Sequence, residues 1–584
     1  MVLALSPVLV LACDGSADPG ALGDDAGGRA DGGAGADGSP RDDAGGRDAA
    51  RPDGAIDAGA DAGTPPPPER WFDDVTVAAG VTFVRAAADG YDTLPDRMSG
   101  GVCVIDVDGE RPYDLFFAAR HESRLYVASA PLAYTDETEA RGLADTGDAM
   151  GCLAFDADGD GDQDLLVTGI GDLRLFHNDG GTFSPTDRIV ASPHPADMLM
   201  GASAGDIDGD GDLDLLVSGF VRFDPARHAE GAPCGLALCS ATLTAYEYAP
   251  DLLLEQMPDG RFHDVAEARA PDLRAPEPGL VSVIRDLDGD GSPDLYVGND
   301  LGYTYWDRVL VRDASGSYRD VAEDLGLAYD WRGYGIDTMG FASGDLDGDG
   351  HADHVTTSFE TDATAVFVWQ PAGHYEDLAV PLGTIALRDT FRWGVALVDL
   401  DLDGDVDLFE ATGHFHSDAE VEAFGYLSGR EQRPNLMVNL GDGTLRAVTP
   451  ATGDGMDALR ASRGLAVTDL DDDGRPDVVL APAVGAPALL RNVRPPTGHW
   501  LGVLLRGAGA NREAIGARVT VRAGGRSWFR DRILGEGYLG SSDPRLFIGL
   551  PDPGSVDIEV RWPSGARTTV HGVALDAEIA ISEG

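Results

Sequence analysis

Asp206-Ile-Asp-Gly-Asp-Gly-Asp-Leu-Asp214, followed at once by Leu215-Leu-Val217, is the most regular stretch of this 584-residue chain. Its spacing brings oxygens at positions 1, 3, 5 and 9 around a tight curl, and Gly211 at position 6 supplies the left-handed backbone the curl needs. Position 7 can add a carbonyl. Hard oxygens in this number suit Ca2+, which takes six to eight of them. An EF-hand shares the first half of the pattern but requires Glu at position 12 and a helix on each side. Position 12 is Val217, and an apolar run that stops at Ser218-Gly219 reads as a buried strand. The loop therefore joins strands.

The same nine-residue loop recurs seven times, starting at Asp106, Asp156, Asp206, Asp286, Asp345, Asp399 and Asp469. The predicted ligands are Asp106, Asp108, Glu110 and Asp114 in the first loop; Asp156, Asp158, Asp160 and Asp164 in the second; and Asp206, Asp208, Asp210 and Asp214 in the third. The fourth and fifth supply Asp286, Asp288, Asp290, Asp294, Asp345, Asp347, Asp349 and Asp353. The sixth and seventh supply Asp399, Asp401, Asp403, Asp407, Asp469, Asp471, Asp473 and Asp477. Loop one departs from the pattern, with Glu110 at position 5 and Arg111 in the glycine slot. A left-handed non-glycine residue there would cost roughly 1–2 kcal/mol, so the first of up to seven Ca2+ sites should be weak or differently shaped.

Successive loop starts differ by 50, 50, 80, 59, 54 and 70 residues. Within a repeat a Gly/Ala-rich strand precedes the loop, an apolar strand and a Leu-rich strand follow, and a turn leads to an aromatic-bearing strand such as the one ending at Val265. Four short strands at this period make a propeller blade. The fold expected is all-β: a seven-bladed β-propeller with calcium-binding loops over 69–493, then a small β-sandwich over 497–584. The seventh repeat lacks its last strand, since Ala488-Leu-Leu-Arg-Asn-Val493 runs straight into Arg494-Pro-Pro. Arg70-Trp-Phe-Asp-Asp-Val-Thr-Val77 stands before loop one with no blade of its own, and an open ring would expose two sheet edges. It should close blade seven as the outer strand.

Residues 497–584 contain alternating runs, Ala517-Arg-Val-Thr-Val-Arg522 and Val556-Asp-Ile-Glu-Val-Arg-Trp562, with the period of strands that bury one face. They predict an independent β-sandwich without a loop of the Asp-rich kind. At the other end, residues 1–13 are an apolar stretch ending in Val-Leu-Ala-Cys13, too short to span a bilayer and suited to a signal-peptide core. Residues 14–68 are Gly, Ala, Asp and Pro with almost nothing to bury, as in a disordered spacer. The formal charge of -58, from 43 basic and 101 acidic residues, repels nucleic acid and anionic membranes.

These motifs carry a resemblance. The loops with their flanking strands resemble FG-GAP/VCBS-type repeats, the calcium-binding blades of integrin α-chain propellers and many bacterial surface proteins. Gly298-Asn-Asp-Leu-Gly302 and Ala411-Thr-Gly-His414 are similar to signatures of the subset allied to cartilage acidic protein. His499-Trp-Leu, Ala514-Ile-Gly-Ala-Arg-Val519, Leu546-Phe-Ile-Gly-Leu550 and Val560-Arg-Trp-Pro-Ser-Gly565 resemble the terminal ASPIC/UnbV domain. The start of the chain resembles the lipobox of bacterial lipoproteins, in which Cys13 would be lipidated. The resemblance implies an exported protein at the cell surface or outer membrane, anchored only through Cys13, with a freely secreted form as the alternative.

In an exported chain the other four cysteines are free to pair. Cys234 and Cys239, inside the 80-residue interval, can close a small loop. Cys103 and Cys152 stand three and four residues before their loops, so their side chains should point to opposite faces, which favours two buried thiols. Gly201-Ala-Ser203-Ala-Gly205 matches a nucleophile elbow but is followed by a metal loop where a helix is needed. His414 and His416, two apart, read as a solvated loop. No catalytic constellation emerges. Two readings remain: a monomeric, calcium-stabilised surface propeller that binds a protein or glycan, which is preferred, and a carbohydrate-active enzyme of the polysaccharide-lyase kind. The second would need Arg332, Tyr334 and the aromatics from Tyr303 to Trp306 to line a groove.

Overall fold

The computed structural model describes residues 68–85, 93–191, 193–224, 243, 246–551 and 554–584. The leader, the spacer and the Cys234/Cys239 loop lie outside the described residues. From Pro66 onward the chain is one compact unit. It contains seven four-stranded antiparallel sheets in a row, followed by a three-stranded and a four-stranded sheet. In the third blade the strands are Asp197–Gly205, Asp214–Arg222, Leu252–Gln256 and Phe262–Asp264, each hydrogen-bonded to the next. Every Asp-rich loop joins the first strand of a blade to the second. The first strands are rich in small residues because they crowd round the channel: a Cβ on Gly201 would stand 2.8 Å from the Leu280 carbonyl of the next blade, and one on Gly394 2.8 Å from that of Arg463.

Each blade buries both faces, so its second strand is a continuous apolar run and not an alternating one. Leu215, Leu216 and Val217 are all fully buried. Leu215 and Val217 pack toward blade two and Leu216 toward blade four. This stacking overturns one expectation. Cys103 and Cys152 do point to opposite faces of their sheets, but opposite faces of successive blades meet in one core layer, which holds both residues. They form a disulfide, with Cα atoms 6.1 Å apart.

The ring closes with the N-terminal strand. Phe72–Asp74 pairs antiparallel with Ala488–Asn492, in the register Phe72 to Asn492, Asp73 to Arg491 and Asp74 to Leu490. It is the outermost strand of the seventh sheet. Trp71 and Phe72 are fully buried, the Asp454 carboxylate accepts from both of their amides, and the Arg494 guanidinium lies 4.7 Å over the Trp71 ring. The ladder ends early: Val77 is 78% exposed.

The terminal region is a β-sandwich. One sheet is formed by His499–Arg506, Leu546–Leu550 and Ala577–Ser582; the other by Arg518–Ala523, Arg526–Asp531, Ser555–Arg561 and Arg567–Ala574. Leu501, Val503, Val519, Val521, Ile558 and Trp562 fill the space between them. The expected independence fails, however. The connection between Asp531 and Leu546 leaves the sandwich and enters the propeller channel. Ser541 bridges the first blade (Val104 N to Ser541 O, 2.9 Å), Leu539 accepts from Cys152 N at 3.2 Å, Leu534 accepts from Ser203 Oγ at 2.6 Å, and Gly537 bridges Phe341. Tyr538 reaches deepest. Its hydroxyl donates to the Met98 carbonyl at 2.8 Å, and its ring centre is 5.1 Å from that of Trp393.

Candidate metal centres and the two ends of the channel

All seven loops share the bonds of position 9, loops two to seven share the rest of one hydrogen-bond scheme, and it follows from the residue types at each position. Position 9 is a buried Asp whose Oδ2 accepts from the position-2 amide at 2.8–3.0 Å. Its Oδ1 accepts from an amide of the third strand at 2.6–3.4 Å. That residue thus ties loop to blade as well as facing the cage. Position 1 accepts from the amide of position 6, as Asp206 does from Gly211 at 3.1 Å. Position 5 accepts from position 7, as Asp290 does from Ser292 at 2.7 Å. Both oxygens of positions 1 and 9 thus shape the curl, as in Asp206 and Asp214, while they also face the other acids of the loop.

Ligand atoms of Asp156, Asp158 and Asp160, of Asp206, Asp208 and Asp210, of Asp286, Asp288 and Asp290, and of Asp345, Asp347 and Asp353 each lie within 4.8 Å of one another. The Oδ1 atoms of Asp345, Asp401 and Asp471 are buried and accept no hydrogen bond from the described residues. Burial, together with neighbouring carboxylates, pushes Asp214 and Asp353 up to about 8 and Asp294 up to about 7, against the backbone amides that lower them. Asp407 and Asp477 are raised well above the usual carboxylate range for the same reason. Converging, desolvated oxygens that resist ionisation and lack donors fit a hard cation.

Three details were not read from the sequence. Position 4 as well as position 6 is left-handed, at φ 57–85° and 87–107°; in loops six and seven position 4 is Leu402 and Asp472, non-glycine residues held there at φ 61° and 57°. His177 enters the second loop, with Nδ1 3.2 Å from both Asp158 and Asp164; its strand position opposite the loop was the available signal. In loop one Arg111 is not left-handed, contrary to expectation. It precedes a cis Pro112 and turns outward to ion-pair with Glu578.

That last contact is one of many, because the terminal sandwich lies across the loop end of the propeller. Asp156 N donates to Glu513 at 2.9 Å, Asn511 N to the Gly211 carbonyl at 3.1 Å, and Thr497 N to the Asp401 carbonyl at 2.8 Å. Arg561 is 3.9 Å from Asp286, and Arg545 is 3.7 Å from Asp469. Ser203, far from being a nucleophile, spends its hydroxyl on the inserted segment and on the Ile284 amide at 2.9 Å.

Among the described residues the other end of the channel is left uncovered. First strands run toward the loops and second strands away, so the segments after Asn299 and before Gly340 gather at this end. They line a cavity of about 610 Å3 with Tyr248, Tyr303, Tyr305, Phe391 and Phe415 on its walls, Trp393 at its base, and Asp300 and Asp337 as its carboxylates. Leu301, between them in sequence and space, is left-handed at φ 61°; its amide and that of Gly302 hold Asp300 and Asp337 at 2.8 and 2.7 Å. Burial raises these acids to about 6 and about 7. Tyr303 and Tyr334 stand at the rim with ring centres 5.7 Å apart, and Arg332, 5.7 Å from the Tyr334 ring, is held by Asp330 and Asp362 at 2.6 and 2.7 Å. Trp306 instead turns inward against Tyr329.

His414 and His416 correct another expectation. They are not on a solvated loop: His414 is fully buried, and the two rings lie 5.4 Å from each other beside Tyr426. Burial lowers them to about 3 and about 4, so both are neutral.

Comparison with known proteins agrees with this architecture. Residues 156–217 and 345–410 match the FG-GAP-like repeat model, and residues 507–584 match the model for ASPIC and UnbV. The chain thus carries FG-GAP-like repeats and a terminal ASPIC/UnbV domain. It is 25% identical over 505 residues to human cartilage acidic protein 1, covering 81% of this chain and 70% of that one. To the mouse protein it is 24% identical over 341 residues, 48% of this chain and about half (51%) of the relative. Among solved structures, a lectin of Agrocybe aegerita that recognises non-reducing terminal N-acetylglucosamine aligns with TM-score 0.39 and 16% identity over 68% of this chain and 94% of its own. The rhamnogalacturonan lyase YesW aligns with TM-score 0.35 and 13% identity over 69% and 73%. No helix among the described residues is long and apolar enough to cross a membrane.

Proposed function

We propose that this chain is a calcium-stabilised, exported propeller, lipid-anchored through Cys13, that recognises a protein or glycan at the channel end away from its loops. One observation carries the choice of face: the chain's own terminal domain covers the loop end, while the opposite end presents an aromatic cavity with exposed Tyr303 and Tyr334. The Asp cages would hold Ca2+, which supplies there only positive charge to draw the carboxylates together. The residues' own part is to shape the loops and fasten each to the third strand of its blade. The lyase reading finds less support. A base that removes a proton beside a uronate carboxylate should have a lowered pKa, whereas burial and Asp362 raise that of Tyr303. Arg332 is already neutralised by two carboxylates.

The test is a glycan array and partner capture with calcium-loaded protein and with the Tyr303→Ala/Tyr334→Ala variant. Ligand binding lost in the variant, with an unchanged melting temperature, supports the reading. Binding that survives the double substitution and is lost on mutation of terminal-domain surface residues would place recognition elsewhere.

A further inference from the structure

The open cavity has a chemical bias that narrows its ligand. Its walls are aromatic faces, and a volume of about 610 Å3 lies within the range of small-molecule sites. The only ionisable groups among its described lining residues other than tyrosines are Asp300, Asp337 and His416. His416 is neutral because burial lowers it to about 4, and no arginine is among the described lining residues; the chain has no lysine to contribute. Asp300 is 7% and Asp337 6% exposed, and each oxygen that bonds to protein does so with a backbone amide of the Leu301–Gly302 turn. Among the described residues no ion pair neutralises Asp300, and Arg332, at the rim, is committed to Asp330 and Asp362. Asp337 is further repelled by Asp300 and Asp362.

A ring of π faces is attractive to positive charge and indifferent or hostile to negative charge. Two desolvated carboxylates at the same place strengthen that preference, and the formal charge of -58 raises the local concentration of cations. A uronate or other anionic ligand would be repelled by both acids. We infer that this cavity binds an organic ammonium group, quaternary or primary, seated between the tyrosine rings and the Asp300/Asp337 carboxylates. Such a group can be carried by an amino sugar or a lysine-bearing chain, so the inference names the chemistry by which the recognition end proposed above would select its ligand. It rests on that reading for the location, and the two fail separately: the array reads any ligand, whereas the titration below reads charge.

The experiment uses full-length, calcium-loaded protein in an amine-free buffer, titrated with choline and with n-butylammonium, by calorimetry and by Trp fluorescence, since Trp393 forms the cavity base. The neutral carbon isostere of choline, dimethylbutanol, is the control. The expected result is saturable binding of at least one ammonium, with the isostere weaker by about tenfold or more. Asp300→Asn and Asp337→Asn, which keep an acceptor for the turn amides, should each weaken binding about tenfold. Tyr303→Ala, at a residue 71% exposed, should weaken it without affecting folding. Equal binding of the isostere, full affinity in both Asn variants, or no saturable binding of either cation up to about 10 mM overturns the inference.

Discussion

Replacing Tyr538 by Ala asks whether the terminal domain is part of the propeller or merely attached to it. The side chain is 1% exposed, packs against Trp393 and donates to the Met98 carbonyl at 2.8 Å. Truncating a buried aromatic costs about 3–5 kcal/mol when the cavity cannot collapse. This one is walled by first strands of several blades, which the inserted segment bridges. Loss of the hydroxyl leaves the Met98 carbonyl without that donor, about 1 kcal/mol more. Tyr538→Phe isolates this last contribution. For a unit of this size 1 kcal/mol corresponds to about 1–2 °C, so Tyr538→Ala should lower the calorimetric midpoint by about 4–12 °C and Tyr538→Phe by about 1–2 °C. The effect should fall on the propeller transition, because the lost contacts are with blades one and six. A midpoint within about 1 °C of wild type, or a shift confined to a separate terminal-domain transition, would refute the claim that the insertion holds the ring together.

Starting the chain after Arg85 removes the strand Phe72–Asp74 and exposes the edge of Ala488–Asn492; this protein should be aggregated in size-exclusion chromatography, while one starting at Glu69 should elute as a monomer. Cys103→Ser/Cys152→Ser opens a covalent loop with a sequence separation of 49 and should cost about 3–4 kcal/mol, read as a lower urea midpoint. The pH dependence follows from the raised carboxylates. Asp214 and Asp353 stand at about 8 in the metal-free fold and near 4 when unfolded. The folded metal-free state therefore binds more protons between pH 4 and about 8, and its stability falls as pH rises through that window. Calcium must displace those protons, so its affinity should rise from about pH 6 to about pH 8 with proton release measurable by calorimetry in two buffers. Affinity independent of pH across that range would contradict the burial of these acids.

The loops were legible because the acids and glycines of the curl recur at fixed spacing, and the ring closure because the seventh repeat visibly lacks a strand that the N-terminus supplies. What escaped depends on contacts between distant segments. Leu534-Gly-Glu-Gly-Tyr-Leu-Gly540 looks like an ordinary Gly-rich turn, and nothing local says that its carbonyls will meet Ser203 and Cys152, more than 300 positions earlier. The disulfide was missed although the side-chain directions were right, since the periodicity of one strand does not report how the next blade is stacked on it. The His414/His416 pair was misread because residues two apart share one side of an extended segment, and because its burial comes from Phe391 and Tyr426, which pack on His414 from other segments.

The central claim is that cations in the Asp cages hold the propeller together, and the most direct measurement is the melting curve of the full chain in saturating calcium and in EDTA at pH 7.5. A cation at about 100 times its dissociation constant adds about 2.7 kcal/mol per site to the folded state. With several such loops the midpoint should fall by about 10 °C or more on chelation, and Asp288→Ala or Asp347→Ala should reproduce part of the loss. Superimposable curves in calcium and in EDTA would contradict the account.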